Sequence, residues 1–192
     1  MMIWDVYVRS APEATPVTTA EARAHLRVHS SVTSEDSRID RLIDAATEWV
    51  QQWTGYRLVT QSVTVLLDAF PAGDRLPIMV APITSLAIKY DDTDDTERTL
   101  AGSAYWAQLN TRPPYVTTKT SWPQTIAKPG AVRVECEVGQ AAANIPPIFK
   151  EAILHLVEHW YQNPGVTPDG KGGMPIPMGV RAMLAPRRLG IL

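Results

Sequence analysis

The spacing of apolar residues changes twice along this chain of 192 residues, and these changes constrain its fold more than any single motif does. Up to about residue 55, apolar side chains recur every three or four positions, which places them on one face of a helix. From about 57 to 138 they alternate with polar side chains, as is typical of strands. The helical spacing returns after residue 144. We therefore predict a fold of the α+β class, with helices on either side of a small antiparallel sheet or sandwich.

The first region contains the signals of two helices. Thr18 and Glu21 match a capping box, which predicts a short helix over 19–28. A second helix is predicted to begin at Ser34 and to end at Gly55, with an apolar stripe and an opposite charged face that meets solvent or a partner. The stripe consists of Ile39, Leu42, Ile43, Ala46, Val50 and Trp53, and the charged face of Arg38, Asp40, Arg41, Asp44 and Glu48.

The second region contains six candidate strands separated by turn-forming residues. Pro77 lies inside the second of them, and because proline cannot donate a backbone hydrogen bond, we place that strand at an edge or a bulge. Cys136 lies in the last, where we interpret it as a small buried apolar side chain; a single cysteine cannot form an internal disulfide. The candidate strands cover 62–67, 75–80, 84–90, 104–109, 114–118 and 131–138.

The third region begins with a helix predicted from Pro146 and Pro147 to Tyr161, which carries the broadest apolar stripe of the chain. The stretch 163–179 is rich in proline and glycine, and we predict loop or disorder there. The last twelve residues are apolar and basic together. We expect this tail to fold onto a partner surface rather than onto its own chain.

The net charge of −2 is a cancellation between two parts of the chain. Residues 1–170 hold 20 acidic and 14 basic side chains, whereas residues 171–192 hold four basic side chains and no acidic one. Near-neutrality excludes a histone-like DNA-binding protein and a polybasic membrane-binding protein, because neither phosphates nor anionic lipids attract the whole chain. The basic end nevertheless favours docking on an acidic partner surface.

Two features of the sequence argue against secretion and membrane insertion. No window approaches the roughly 18 consecutive apolar residues of a membrane-spanning helix. The first residues, from Met1 to Val6, lack a basic segment followed by an apolar stretch. We therefore expect no signal peptide and a soluble protein made in the cytosol.

One enzymatic motif stands out, the H-x-x-E-H arrangement of His155, Glu158 and His159. In zinc peptidases of the inverzincin type, two such histidines one helical turn apart bind zinc and the glutamate activates a bound water. A third protein ligand is not recognisable here, so we favour a reading without catalysis and without bound metal. His25 and His29 have the same spacing, and two such pairs on neighbouring helices could hold a structural metal. We favour solvated or interface histidines for both pairs.

Other motifs for ligands are missing or incomplete. The chain has neither a G-x-x-x-x-G-K-[ST] nor a G-x-G-x-x-G motif, and no serine lies in a G-x-S-x-G setting, so no cofactor and no active site are expected. The acidic run from Asp91 to Glu97 departs from the calcium-loop spacing and lacks its glycine. We interpret this run as a solvated hairpin tip.

Taken in order, several features resemble the head-to-tail connector (adaptor) proteins of long-tailed bacteriophages and gene transfer particles. The resemblance covers nearly the whole chain and rests on many positions of low individual specificity. The similar segments are 17–28, 53–58, Phe70-Pro71, Leu76-Pro77, 81–83, the late helix 152–161 closing on Asn163, and 184–188.

This resemblance implies an architecture and a role. The first and last regions, 1–56 and 141–163, would form a small helical bundle core, and the β domain 57–140 would be inserted between them. Residues 164–192 would form a flexible linker and an extended docking tail. Such proteins assemble as a ring, commonly of twelve copies, beneath the portal protein. The ring extends the channel through which double-stranded DNA passes during packaging and ejection, without sequence-specific binding. The protein would act in the virion neck, after assembly in the host cytoplasm.

The resemblance also implies that the C-terminal tail docks on the portal. We expect the apolar residues of the tail to act as anchors and its arginines to pair with portal acids. The anchors are Met183, Leu184, Leu189, Ile191 and Leu192, and the arginines are Arg181, Arg187 and Arg188.

Two alternatives stay open. Within the structural class, a neck stopper or tail-completion protein competes with the adaptor. As an adaptor, the protein would itself meet a stopper or another neck protein on the tail side. In another class, a zinc-dependent hydrolase would use His155, Glu158 and His159 and would contain stoichiometric zinc.

Overall fold

The computed structural model describes residues 5–29, 31–163 and 176–190, and the α+β prediction is confirmed. The helices are α1 (Thr19–Leu26), α2 (Asp36–Thr54), α3 (Pro147–Gln162) and α4 (Met178–Leu184). The strands are β1 (Asp5–Ser10), β2 (Gln61–Leu67), β3 (Arg75–Pro77), β4 (Ile83–Asp91), β5 (Glu97–Thr99), β6 (Tyr105–Gln108), β7 (Tyr115–Thr118) and β8 (Val132–Val138).

The chain divides into two compact units, one made of strands and one of helices. The β unit comprises Met1–Glu13, Gly55–Gln140 and Leu189–Leu192, and the helical unit comprises Ala14–Thr54 and Ala141–Arg188. The β unit thus takes in β1, a strand that the sequence analysis placed in a helical region. β1 lies at a sheet edge, where Tyr7 is 63% and Val8 38% exposed and Val6 packs against the core, so only one short apolar signal marks this strand.

Two antiparallel sheets form the β unit. The larger has the strand order β1-β2-β8-β4-β5, and the smaller has the order β3-β7-β6. Buried side chains from both sheets belong to one core, among them Val65 of β2, Ile88 of β4, Val134 of β8 and Val116 of β7. β3 is an edge strand, as Pro77 predicted. β5 was not predicted, because all three of its residues are exposed and show no alternation.

The helical unit follows the predicted periodicity closely. Thr18 and Glu21 form the capping box that starts α1, which ends at Arg27 in the left-handed conformation. α2 ends where Gly55 adopts a φ of +78°, a conformation that glycine takes without strain. Most of the apolar stripes of α2 and α3 is buried, with Ile39 and Leu156 fully covered, while Leu42 and Trp53 of the α2 stripe are half-buried. No helix among the described residues is long and apolar enough to cross a membrane.

The C-terminal segment differs from the expected extended tail. Residues 178–184 form α4, in which Val180 and Leu184 are buried in the helical unit, and Ala185–Arg187 form a 3-10 turn. Leu189 is buried in the β unit, beside Gly55. Val180, Leu184 and Leu189 therefore have partners within their own chain, whereas Met178 is exposed. The linker 164–175, together with Ile191 and Leu192, lies outside the described residues.

Candidate functional site

The predicted docking residues separate into buried and accessible groups. Leu184 is fully buried and Leu189 is 3% exposed, while Met183 is half-buried in the cleft described below. Arg181 and Arg188 are exposed and Arg187 is half-buried. The positive charge of the segment is therefore available to a partner, whereas two of the expected anchors hold the segment to its own chain.

Trp53 positions two of these arginines. The indole rings of Trp49 and Trp53 stack at 5.6 Å with an interplanar angle of 9°. The guanidinium groups of Arg181 and Arg188 lie 5.5 and 4.6 Å from the centroid of the Trp53 ring. An arginine held over an aromatic face keeps its N–H groups available at the edges for carboxylates. The spacing of apolar residues placed Trp53 only in the stripe of α2, and the tail arginines are more than 120 residues away from it.

A cleft of about 440 Å³ lies between α3 and α4 within the helical unit. His155, Glu158 and His159 lie on its α3 side, so the H-x-x-E-H motif faces a space large enough for small ligands or water. The remaining lining residues are Gln162 of α3 and Pro177, Gly179, Val180 and Met183 on the side of α4.

Two of the three motif residues, His155 and Glu158, belong to a cluster of possible metal ligands. Within the described ranges, the grouping that could hold a metal consists of His155, Glu158 and His25 of α1, with one ligand atom of each lying within 4.8 Å of the others. His25 Nε2 lies 3.2 Å from Glu158 Oε2, and His155 Nδ1 lies 3.9 Å from the same oxygen. His159 is not a member, and its buried Nε2 has no hydrogen-bond partner among the described residues.

This arrangement does not assemble the peptidase chemistry that the motif suggested. That chemistry requires both histidines of the motif as ligands and leaves the glutamate to activate water. Here Glu158 itself is directed at His25, and its Oε1 accepts a hydrogen bond of 3.3 Å from Gln162 Nε2. His29 does not join His25 in this cluster, and its Nδ1 lies 2.7 Å from the Ser31 hydroxyl.

The acidic run lies at the β4–β5 hairpin, as predicted, but its first carboxylate is buried and ion-paired. Asp91 is 5% exposed and contacts Arg133 Nη1 at 2.8 Å and Lys128 Nζ at 2.9 Å. Hydrogen bonds from Arg133 and Lys128 hold the pKa of the Asp91 carboxyl well below its usual range. Asp92 Oδ2 accepts a hydrogen bond of 2.8 Å from Arg98 Nε, and this contact lowers the pKa of Asp92. The Asp92–Arg98 contact therefore closes the hairpin, whereas Asp91 ties β4 to Arg133 of β8 and to Lys128.

Comparison with known proteins agrees with the resemblance drawn from the sequence. The family model described as "HCP: Head completion protein" matches residues 17–174. A search of curated proteins finds no match.

Solved structures with the same fold come from gene transfer agent (GTA) particles. A chain of the neck of an empty GTA particle, computed with C6 symmetry, is 21% identical with a TM-score of 0.78, and covers 98% of this chain and 97% of its own length. A chain of the native GTA virion is 20% identical with a TM-score of 0.78, over 97% and 96%. A chain of the native GTA neck, computed with C12 symmetry, is 20% identical with a TM-score of 0.74, over 98% and 97%.

Proposed function

Because the chain belongs to the head completion protein family, we propose that it is a structural head-to-tail connector, or adaptor, in the neck of a tailed phage or phage-derived particle. The observation that carries this proposal is the family match over residues 17–174, supported by a fold shared along the full length with neck chains of GTA particles. The protein acts in the virion neck and performs no catalytic step.

The adaptor forms a closed ring, of twelve copies, beneath the portal. The related necks were computed with C6 and C12 symmetry, which supports a cyclic assembly. In such a ring each subunit presents two different surfaces to its neighbours, so each surface must complement the other. The mixed-sign face of α2 and the exposed aromatic residues Tyr7 and Trp106, on the edge strands β1 and β6, suit these contacts.

The accessible arginines of the C-terminal segment dock on acidic residues of the portal. Arg181 and Arg188 are held over Trp53 and exposed, and Arg187 follows α4 in the 3-10 turn. Met183 adds a half-buried apolar contact at the adjacent cleft. Leu184 and Leu189 contribute by keeping the segment in place, because both are buried in their own chain.

The channel of the ring conducts double-stranded DNA without retaining it. A channel lining that is neutral or acidic avoids binding the passing phosphates. The excess of acidic residues in 1–170 and the confinement of the unbalanced positive charge to 171–192 support this role.

Charge reversal tests the docking surface without removing buried side chains. We expect the double variant Arg181→Glu and Arg187→Glu to lose at least tenfold in affinity for the purified portal ring, measured by sedimentation or surface plasmon resonance. Arg112→Glu, an exposed reversal in the β unit, is the matched control and should bind normally. Equal binding by both proteins would refute docking through the C-terminal segment.

Native mass spectrometry tests the position in the neck. An adaptor binds the portal ring directly and gives a complex that contains one closed ring of this chain. A protein that binds only after another neck component has been added is a stopper or a tail-completion protein, and this outcome would overturn the adaptor assignment.

A further inference from the structure

We propose that His25, His155 and Glu158 form a binding site for a divalent transition-metal ion, with Zn²⁺ as the ion that best suits the ligands. Two imidazoles and one carboxylate are a common protein ligand set for zinc. The site depends on the tertiary structure, because His25 belongs to α1 while the other two residues lie one turn apart on α3. The inference is independent of the adaptor assignment.

The observed spacing is close to the spacing that zinc requires. With metal–ligand bonds of 2.0–2.1 Å in tetrahedral geometry, neighbouring ligand atoms are about 3.3 Å apart. The distance from His25 Nε2 to Glu158 Oε2 is 3.2 Å, and that from His155 Nδ1 to Glu158 Oε2 is 3.9 Å. All three ligand atoms lie within 4.8 Å of one another. Shifts of about 1 Å, within reach of side-chain rotation alone, bring the three atoms onto one ion.

The surroundings support coordination by Glu158 in particular. Gln162 Nε2 donates to Glu158 Oε1 and leaves Oε2 directed at the histidines. Carboxylates that bind metals are oriented by such outer hydrogen bonds. The imidazoles of His25 and His155 are already in contact, with ring centroids 5.5 Å apart and an edge-to-face angle of 79°.

Three protein ligands leave a fourth position for water. His155 and Glu158 line the cleft of about 440 Å³, which gives water and the ion access to the site. Binding would join α1 to α3 across 130 positions of sequence between His25 and His155. An ion that binds only the folded chain stabilises it, and this site would therefore clamp two helices of the helical unit.

The experiment is a zinc titration of the full-length, untagged protein. We expect one Zn²⁺ per chain by isothermal titration calorimetry, and a rise in Tm of about 5–10 °C at a zinc concentration one hundred times Kd. His25→Ala, His155→Ala and Glu158→Gln should each weaken binding by at least tenfold, which reduces the thermal shift to about half or less at the same zinc concentration. Each replaced side chain is partly or largely exposed, so circular dichroism should show folded variants.

His29→Ala is the matched control, since it removes a histidine that lies outside the cluster. It should leave the stoichiometry, the affinity and the thermal shift unchanged. Cobalt provides a second readout, because tetrahedral Co²⁺ bound to the wild-type protein absorbs visible light and the same ion in water absorbs only weakly. The proposal is overturned if the wild-type protein binds no zinc, or if it binds zinc and the His25→Ala and Glu158→Gln variants bind it equally well.

Discussion

Replacing Gly139 by alanine should destabilise the β unit by about 2–5 kcal/mol, because two costs combine at this position. Gly139 has a φ of +83°, and an L-residue in the left-handed region costs about 1–2 kcal/mol. A Cβ at this position would also lie 2.2 Å from the carbonyl oxygen of Val59, where an ordinary contact between carbon and oxygen needs about 3.3 Å.

The backbone must therefore move by about 1 Å at the point where 58–60 runs beside 139–140. Two hydrogen bonds hold these segments together, from Thr60 N–H to the Gln140 carbonyl and from Gln140 N–H to the Leu58 carbonyl, each 3.2 Å long. Each such bond contributes about 0.5–1.5 kcal/mol net, and weakening both accounts for the second cost.

Gly130 offers a matched control at the other end of β8. It has a φ of +68°, but nothing lies within 4 Å of the position its Cβ would take. Gly130→Ala should therefore cost only the conformational part, about 1–2 kcal/mol. Urea unfolding followed by circular dichroism and tryptophan fluorescence gives both values. Equal destabilisation by the two substitutions would refute the argument from close backbone approach.

Three further predictions concern other parts of the chain. Asp91 has a lowered pKa because Arg133 and Lys128 bind its charged form, so its ion pairs stabilise the fold above about pH 4 and lose this effect as the pH falls below that value. The free energy of unfolding in urea, measured between pH 2 and 6, should depend less on pH in Asp91→Asn than in the wild-type protein. The same pH dependence in both proteins would contradict this prediction. Burial raises the pKa of the Cys136 thiol to about 12, so alkylation at pH 8 should be far slower in the native protein than in urea, and equal rates would argue against a buried thiol. Leu184→Ala should destabilise the helical unit by about 2–5 kcal/mol and expose α4 to limited proteolysis, whereas a neutral effect would mean that α4 does not depend on this contact.

The titratable residues of the candidate sites could be identified from the sequence, but the residues that they contact could not. His155 and Glu158 stand out because three positions of a motif fall within five residues of one helix. His25, which contacts Glu158, is 133 positions away, and a contact over that distance leaves no periodic signal in a single sequence. The stacking of Arg181 and Arg188 on Trp53 could not be predicted either, because these residues are also far apart in the sequence. The same holds for the pairing of Asp91 with Arg133.

Elements with local signals could be predicted from the order of the amino acids alone. The capping box of Thr18 and Glu21, the stop at Gly55, the buried stripes of α2 and α3 and the edge position of Pro77 all follow from spacing and from the conformational limits of single residues. The order of helical, alternating and again helical spacing likewise predicted the α+β class.

Segments with weak local signals become ordered through contacts with distant parts of the chain. β1 and β5 are edge strands with exposed residues, and they form because a neighbouring strand supplies their backbone hydrogen bonds. α4 is short and lies in a segment rich in proline and glycine, yet it is held because Val180 and Leu184 become buried in the helical unit. Burial against a distant segment releases water from apolar surface, and its free energy depends on contacts that no local pattern contains.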